Sequence, residues 1–174
     1  MEGMIGILRL RIKKGIDLAV RDRTRGSSDP YVVATLGDDQ RTKTKIVRDT
    51  LNPEWEQDLT LAIIDPKVPV KITVYDKDTF SHDDTMGIAY VDVNPYVECL
   101  QMGSDLHHLP VGTKLETVQP NEHNHLLEES YIIWNEDKLT QDMVLQLTDT
   151  ESGAVEVQIE ITLIENQRLI TLKT

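Results

Sequence analysis

Residues 155–163 read Val-Glu-Val-Gln-Ile-Glu-Ile-Thr-Leu, apolar and polar side chains in strict alternation. Successive side chains of an extended strand point to opposite faces, so this stretch offers one face to a core and one to water. The same period recurs upstream. Residues 4–13 (MIGILRLRIK), 31–36, 59–63, 70–75 (VKITVY), 87–93 (GIAYVDV) and 143–147 each predict a strand, and 41–47 alternates cations with threonines. Short strands at near-regular spacing, divided by Gly, Pro, Asn and Asp, predict an all-β antiparallel sandwich.

Residues 94–138 break the rhythm. Residues 95–102 predict a short helix with Asn94 as its N-cap and Pro95 in the first helical position. Residues 103–124 are polar and turn-rich, and 130–134 (SYIIW) predict one extra strand that turns back through 135–137. This stretch is too polar and short for a core of its own, so 94–138 reads as an insertion within a single domain spanning 1–174.

Composition narrows the function. The 174 residues carry 18 Lys+Arg against 30 Asp+Glu, a formal net charge of −12. A general nucleic-acid binder needs clustered cations and is excluded as an expectation. The single cysteine, Cys99, excludes an intramolecular disulfide and a Cys-based zinc module. No secretory leader pattern opens the sequence, and no run approaches the ~18–20 apolar residues of a membrane span. The expectation is a soluble, cytoplasmic protein. A Walker loop, G-x-S-x-G and H-E-x-x-H are all missing from the sequence, and no nucleophile–base pair stands out, so it does not read as an enzyme.

The carboxylates that matter sit in two loops. Asp76, Asp78, Asp83 and Asp84 follow the strand VKITVY, and Asp22 and Asp29 bound the loop R-D-R-T-R-G-S-S-D-P-Y. If both loops lie at one end of the sandwich, these groups converge. A hard cation taking six to eight oxygens suits such a cluster, and calcium suits it better than magnesium, which retains more water. An EF-hand is excluded because Phe80 and Ser81 stand where that loop needs Asp or Asn and then Gly. The plainer alternative is that these aspartates cap turns.

The segments D-P-Y-V-V-A-T-L, L-N-P-E-W and Y-D-K-D-T-F-S-H-D-D-T-M-G, in that order, closely resemble the C2 domain. The resemblance covers 4–93 and returns over 139–164. It implies an eight-stranded antiparallel β-sandwich that binds calcium in loops at one end and docks on phospholipid. It maps about two calcium ions onto Asp22, Asp29, Asp76, Asp78 and Asp84, helped by carbonyls near Arg21 and Lys77, with Asp83 outside the ligand set. The first loop is longer than usual for the family, and Gly26 can absorb the extra length. Glu128-Glu129-Ser130, 141–147 (QDMVLQL) and Glu151-Ser152-Gly153 are similar to a narrower group, the small plant C2-domain abscisic-acid-related proteins and C2 GTPase-activating proteins.

The resemblance further implies an anionic phospholipid membrane as partner, contacted by Arg23, Arg25, Lys77 and Phe80. It adds a phosphoinositide site at Arg41, Lys43 and Lys45, for which a solvated strand edge is the alternative. Its narrower form implies an abscisic acid receptor or a P-loop GTPase as protein partner, reached through the insertion. Activating a GTPase needs only one arginine in trans, and Arg23 and Arg25 are the exposed candidates. The implied location is the cytoplasm, at the plasma membrane when calcium is bound, with the nucleus as a second compartment. His107, His108, His123 and His125 read as loop residues, Trp55 as a structural corner and Cys99 as a small buried hydrophobe.

Overall fold

The computed structural model describes residues 3–165 together with 168 and 169. In chain order the elements are β1 (Gly6–Ile16), β2 (Pro30–Leu36), β3 (Gln40–Lys43), β4 (Glu54–Ile63), β5 (Val70–Asp76), β6 (Asp84–Val91), α1 (Asn94–Leu100), a 3-10 helix (Gly103–His108), β7 (Thr113–Val118), β8 (Ser130–Asn135), β9 (Lys138–Gln146), β10 (Ala154–Glu165) and a two-residue β11 (Arg168–Leu169). They form two sheets with antiparallel pairing throughout. One has the order β4-β1-β10-β9-β8-β7, with β11 on β10, and the other β3-β2-β5-β6.

The alternation in the sequence is the alternation of burial. In β10, Val155, Val157, Ile159 and Ile161 are buried, with half-buried Glu156, Gln158 and Glu160 between them. They share one core with Leu8, Leu10 and Ile12 of β1, Val32 and Ala34 of β2, and Ile72 and Val74 of β5. Burying each large side chain contributes ~1.5–3 kcal/mol. The outer face of β4-β1-β10 carries cross-strand ion pairs. Arg9 meets Glu160 at 2.5 Å, Arg11 meets Asp58 at 3.0 Å, and Lys13 meets Glu156 at 3.3 Å. Trp55 is fully buried and donates its indole N–H to the Pro30 carbonyl at 3.2 Å, linking β4 to the start of β2.

The sandwich is all-β as expected, but among the described residues ten strands of four residues or more stand where eight and one extra were predicted. The addition is β7, in the stretch that read as turns. Among the described residues it is an edge strand paired only with β8, and none of its residues is buried, so it has no apolar row to announce it. Together β7 and β8 extend the larger sheet. Leu106, Leu126, Ile132 and Trp134 of the 94–138 stretch join the same core cluster.

Two smaller expectations shift. Helix α1 starts at Asn94, which is not its cap, because the Asp92 carboxylate accepts the Asn94 N–H at 3.1 Å and Asn94 turns its amide to Glu98. Strand β3 ends at Lys43, since Thr44 turns inward and its Oγ1 accepts the Val32 N–H at 2.9 Å.

The sheets meet close to the aspartate loops at Gly87. Ile88 and Thr148 exchange backbone hydrogen bonds of 3.0 and 2.8 Å, and Gly87 has φ +119°. A Cβ at Gly87 would lie 2.9 Å from Leu147 Cβ and 3.2 Å from the Thr148 carbonyl oxygen. Gly26 also has a positive φ, +67°, but open space around it. Gly87→Ala is therefore expected to cost about 2–3 kcal/mol, from strain and close contact together. Gly26→Ala should cost only ~1 kcal/mol, from strain alone. Urea denaturation of both variants checks the order.

Candidate metal and membrane site

Strand register brings the aspartates together. Pro30 of β2 pairs with Asp76 of β5, and Asp76 pairs with Asp84 of β6. Asp29, Asp76 and Asp84 therefore stand at adjacent strand ends on one edge of the smaller sheet. The first loop closes above them as a short hairpin, Asp22 and Ser27 exchanging backbone hydrogen bonds of 3.0 and 3.2 Å. Gly26 turns its tip. The loops enclose a cleft of about 450 Å³, whose lining includes Asp22, Asp29, Asp76, Asp78 and Asp84, with Phe80 at its rim.

Each carboxylate has a different environment. Asp76 is buried and accepts the Asp29 N–H at 2.7 Å. Burial pushes its carboxyl up from the usual carboxylate range, and the nearby charges of Asp29, Asp84 and Asp22 push the same way. Asp29 is also buried and accepts the Asp49 N–H at 2.7 Å. Arg25 Nε reaches Asp22 Oδ2 at 2.5 Å and lowers the Asp22 pKa, while Arg25 Nη2 reaches Asp29 Oδ2 at 3.3 Å. Asp78 folds onto its own loop, accepting from the Phe80 N–H and the Ser81 hydroxyl, and these bonds lower its pKa. Asp84 is exposed, and its carboxylate has no hydrogen-bond partner among the described residues.

The donor set fits a hard cation, being oxygen-only and anionic, with the charge on Asp76 disfavoured by burial and then by its neighbours' charge. As arranged, no three His, Cys, Asp or Glu side chains among the described residues stand close enough to share an ion. Arg25 stands between Asp22 and Asp29, and Asp78 faces Ser81.

Asp83 is committed elsewhere. Tyr31 donates its hydroxyl to Asp83, whose other oxygen accepts the Asp78 N–H at 2.8 Å. Those bonds lower the Asp83 pKa, and burial with this contact raises the Tyr31 hydroxyl to about 12. Arg21 carries a function that sequence reasoning missed. Its guanidinium spans the Thr85 carbonyl at 2.9 Å, Glu151 at 2.5 Å and Thr150 at 3.3 Å, so it ties the first loop to β6 and to the β9–β10 connection. These partners lie 64 to 130 residues away, and no local pattern reports them.

Phe80 is 97% exposed at the rim, and Arg23, Arg25 and Lys77 are exposed around it. Arg41, Lys43 and Lys45 are exposed on one side of their segment, with Thr42 half-buried and Thr44 buried between them. Thr35 pairs with both Arg41 and Lys71, so Lys71 shares that face. The histidines are dispersed. His107 meets the Trp134 ring edge-on, and His125 meets Tyr90. Cys99 is buried, which pushes its thiol up to about 11.

Residues 6–109 match the family model described as C2 domain. The chain belongs to the C2 domain family. Among curated relatives, C2-DOMAIN ABA-RELATED 5 of Arabidopsis thaliana is 49% identical over 160 residues, covering 92% of this chain and 78% of the relative. C2-DOMAIN ABA-RELATED 10 of the same plant is 46% identical over 156 residues, 90% and 85% of the two chains. Among solved structures, a C2 domain of plant Extended Synaptotagmin 1 superposes with a TM-score of 0.59 at 20% identity, covering 94% of this chain and 98% of that one. The calcium-bound tandem C2 domains of Extended-Synaptotagmin 2 give 0.60 at 18%, covering 92% and 47%. At that identity the likeness shows the fold. No helix among the described residues of this C2 domain is long and apolar enough to cross a membrane.

The charge at Asp76 is a cost to the metal-free C2 domain. With its folded pKa raised, the folded state holds the proton more tightly, so this group's contribution to stability falls as pH rises through the folded value. Asp76→Asn keeps an oxygen for the Asp29 N–H and removes the charge. In chelator at pH 7 it should melt about 2–4 °C above the parent. Differential scanning calorimetry should show that gap closing as pH falls through the Asp76 pKa.

Proposed function

We propose that this C2 domain docks on anionic phospholipid membranes in response to calcium. The reading rests on one observation: Asp22, Asp29, Asp76, Asp78 and Asp84 line a single cleft beneath a fully exposed phenylalanine. These residues would hold about two calcium ions. Calcium there supplies positive charge and open coordination positions for lipid phosphate and carboxylate oxygens. The remaining work belongs to the chain. Five carboxylates repel an anionic leaflet until neutralised, after which Arg23, Arg25 and Lys77 dominate the rim. Each cation contributes ~1 kcal/mol near such a surface, within a Debye length. Phe80 then enters the acyl region. Arg41, Lys43, Lys45 and Lys71 supply a second face, suited to phosphoinositide headgroups. The protein would act from the cytoplasm, reaching the plasma membrane when calcium rises, with the nucleus as a further compartment.

Pelleting with phosphatidylserine vesicles tests this. Binding is expected in calcium and lost in chelator, and Asp76→Ala with Asp78→Ala should abolish it. Phe80→Ala should weaken calcium-dependent binding by roughly 10- to 100-fold, the loss of one buried aromatic. If the double aspartate variant pellets like the parent, the calcium reading is wrong.

A second reading concerns protein partners. The relatives' names tie them to abscisic acid, and the 94–138 insertion leaves Met102, Val111 and Leu127 exposed. We propose this surface as the contact for a signalling partner, either an abscisic acid receptor or a P-loop GTPase whose hydrolysis the domain stimulates. Deleting the stretch would remove β7 and the buried Leu106 and Leu126, so point substitution is the sound test. Val111→Asp with Leu127→Asp should abolish capture of the receptor or stimulation of GTP hydrolysis while vesicle pelleting stays intact. Unaltered partner binding would remove this surface from consideration.

A further inference from the structure

The first loop carries its own cation inside the cleft. Arg25 presents two edges of its guanidinium to two different carboxylates, Nε to Asp22 at 2.5 Å and Nη2 to Asp29 at 3.3 Å. The other oxygen of Asp22 accepts the backbone N–H groups of Thr24 at 3.1 Å and Arg25 at 3.2 Å. Asp22 is thus wholly engaged by the hairpin it begins. Arg48 stands farther off, 3.8 Å from Asp29.

We propose that Arg25 is a tethered competitor of calcium: it occupies Asp22 and Asp29 in the metal-free protein and is transferred to anionic lipid headgroups when calcium displaces it. The inference rests on the calcium reading of the cleft. A guanidinium brings one positive charge to two carboxylates, whereas a divalent ion brings two charges and accepts more oxygens, so the exchange runs toward the ion once its concentration suffices. The side chain has somewhere to go. It is 51% exposed, and beyond the two residues adjacent to it in the chain the neighbouring Gly26 has no heavy atom within 4 Å of where a Cβ would stand. The base of the loop does not have to move with it. The Asp22–Ser27 backbone bridge and the three-way grip of Arg21 hold that base to the sandwich. Displacement therefore turns a cation that screens the cleft into one that faces the membrane, and the two effects add at the moment of docking.

The two halves of the proposal have opposite signs in one variant. Arg25→Gln removes the competitor, so calcium titrated into the lipid-free full chain by calorimetry should bind roughly 3- to 10-fold tighter, the scale of two partly exposed ion pairs. At saturating calcium the same variant should bind phosphatidylserine vesicles roughly 5-fold more weakly, the loss of one interfacial cation. Arg23→Gln is the control. It removes the same charge two residues away and should weaken vesicle binding without tightening calcium. Calcium affinity that is unchanged or weaker in Arg25→Gln overturns the competition, as does equal tightening in both variants, which would be bulk charge alone. Unchanged vesicle affinity overturns the transfer to lipid. If the unsubstituted chain takes up no calcium, the calcium reading itself fails and the competition falls with it. Equal uptake by the unsubstituted chain and Arg25→Gln sinks the competition alone.

Discussion

A buried carboxylate needs a partner, and Asp76 sets that requirement for this end of the molecule. It is the last residue of β5, held in place by strand pairing on both sides. The pairing that makes the small sheet also delivers Asp29 and Asp84 beside it. Repulsion among these groups is then a property of the fold, and it cannot relax without breaking the ladder. The surrounding chain answers with what it has: the Asp29 N–H on Asp76, and Arg25 across Asp29 and Asp22. The asymmetry of the cleft follows. Backbone donors and the Arg25 guanidinium offset part of the charge, on the Asp22 and Asp29 side more than at Asp84.

The large sheet carries its charge differently. Its outer face distributes Arg9, Arg11 and Lys13 among the acids of β4 and β10, so charge there is locally balanced. Isolated pairs of this exposed kind contribute ~0–1 kcal/mol each. Their larger effect is to keep the acidic excess away from that face. A net charge of −12 describes the whole chain and obscures this division. The balanced outer face of the large sheet and the acid-lined cleft are separate parts of that sum.

Legibility followed the range of the interactions. Period-2 alternation is a local property, and it located nine strands, because strands with a buried face must repeat every second residue. It missed β7, whose single partner and lack of buried residues leave the pattern nothing to record. The helix start was off by one because Asp92, outside the expected cap, took the N–H that decides it. In the cleft, the positions of the aspartates could be read, since strand ends and loop residues are sequential facts. Their engagements could not. Tyr31 with Asp83 spans 52 residues, and Arg21 with Glu151 spans 130. Arg21 entered the sequence reading through a nearby carbonyl, and the folded chain shows its guanidinium gripping Thr85, Thr150 and Glu151.

The way the first loop is fastened bears on how it can change over generations. Asp22 and Ser27 close it with their own backbone, and Arg21 and Asp29 secure the chain on either side. Residues 23–26 therefore hang from a fixed frame and touch the sandwich through Arg25 alone among the ion pairs described. Changes of side chain in those four positions leave the core untouched, while a change at Arg25 alters the ion pairs of Asp22 and Asp29. The architecture of the sandwich is thus carried by residues other than the four of this exposed stretch, two of which, Arg23 and Arg25, bring cations to the cleft.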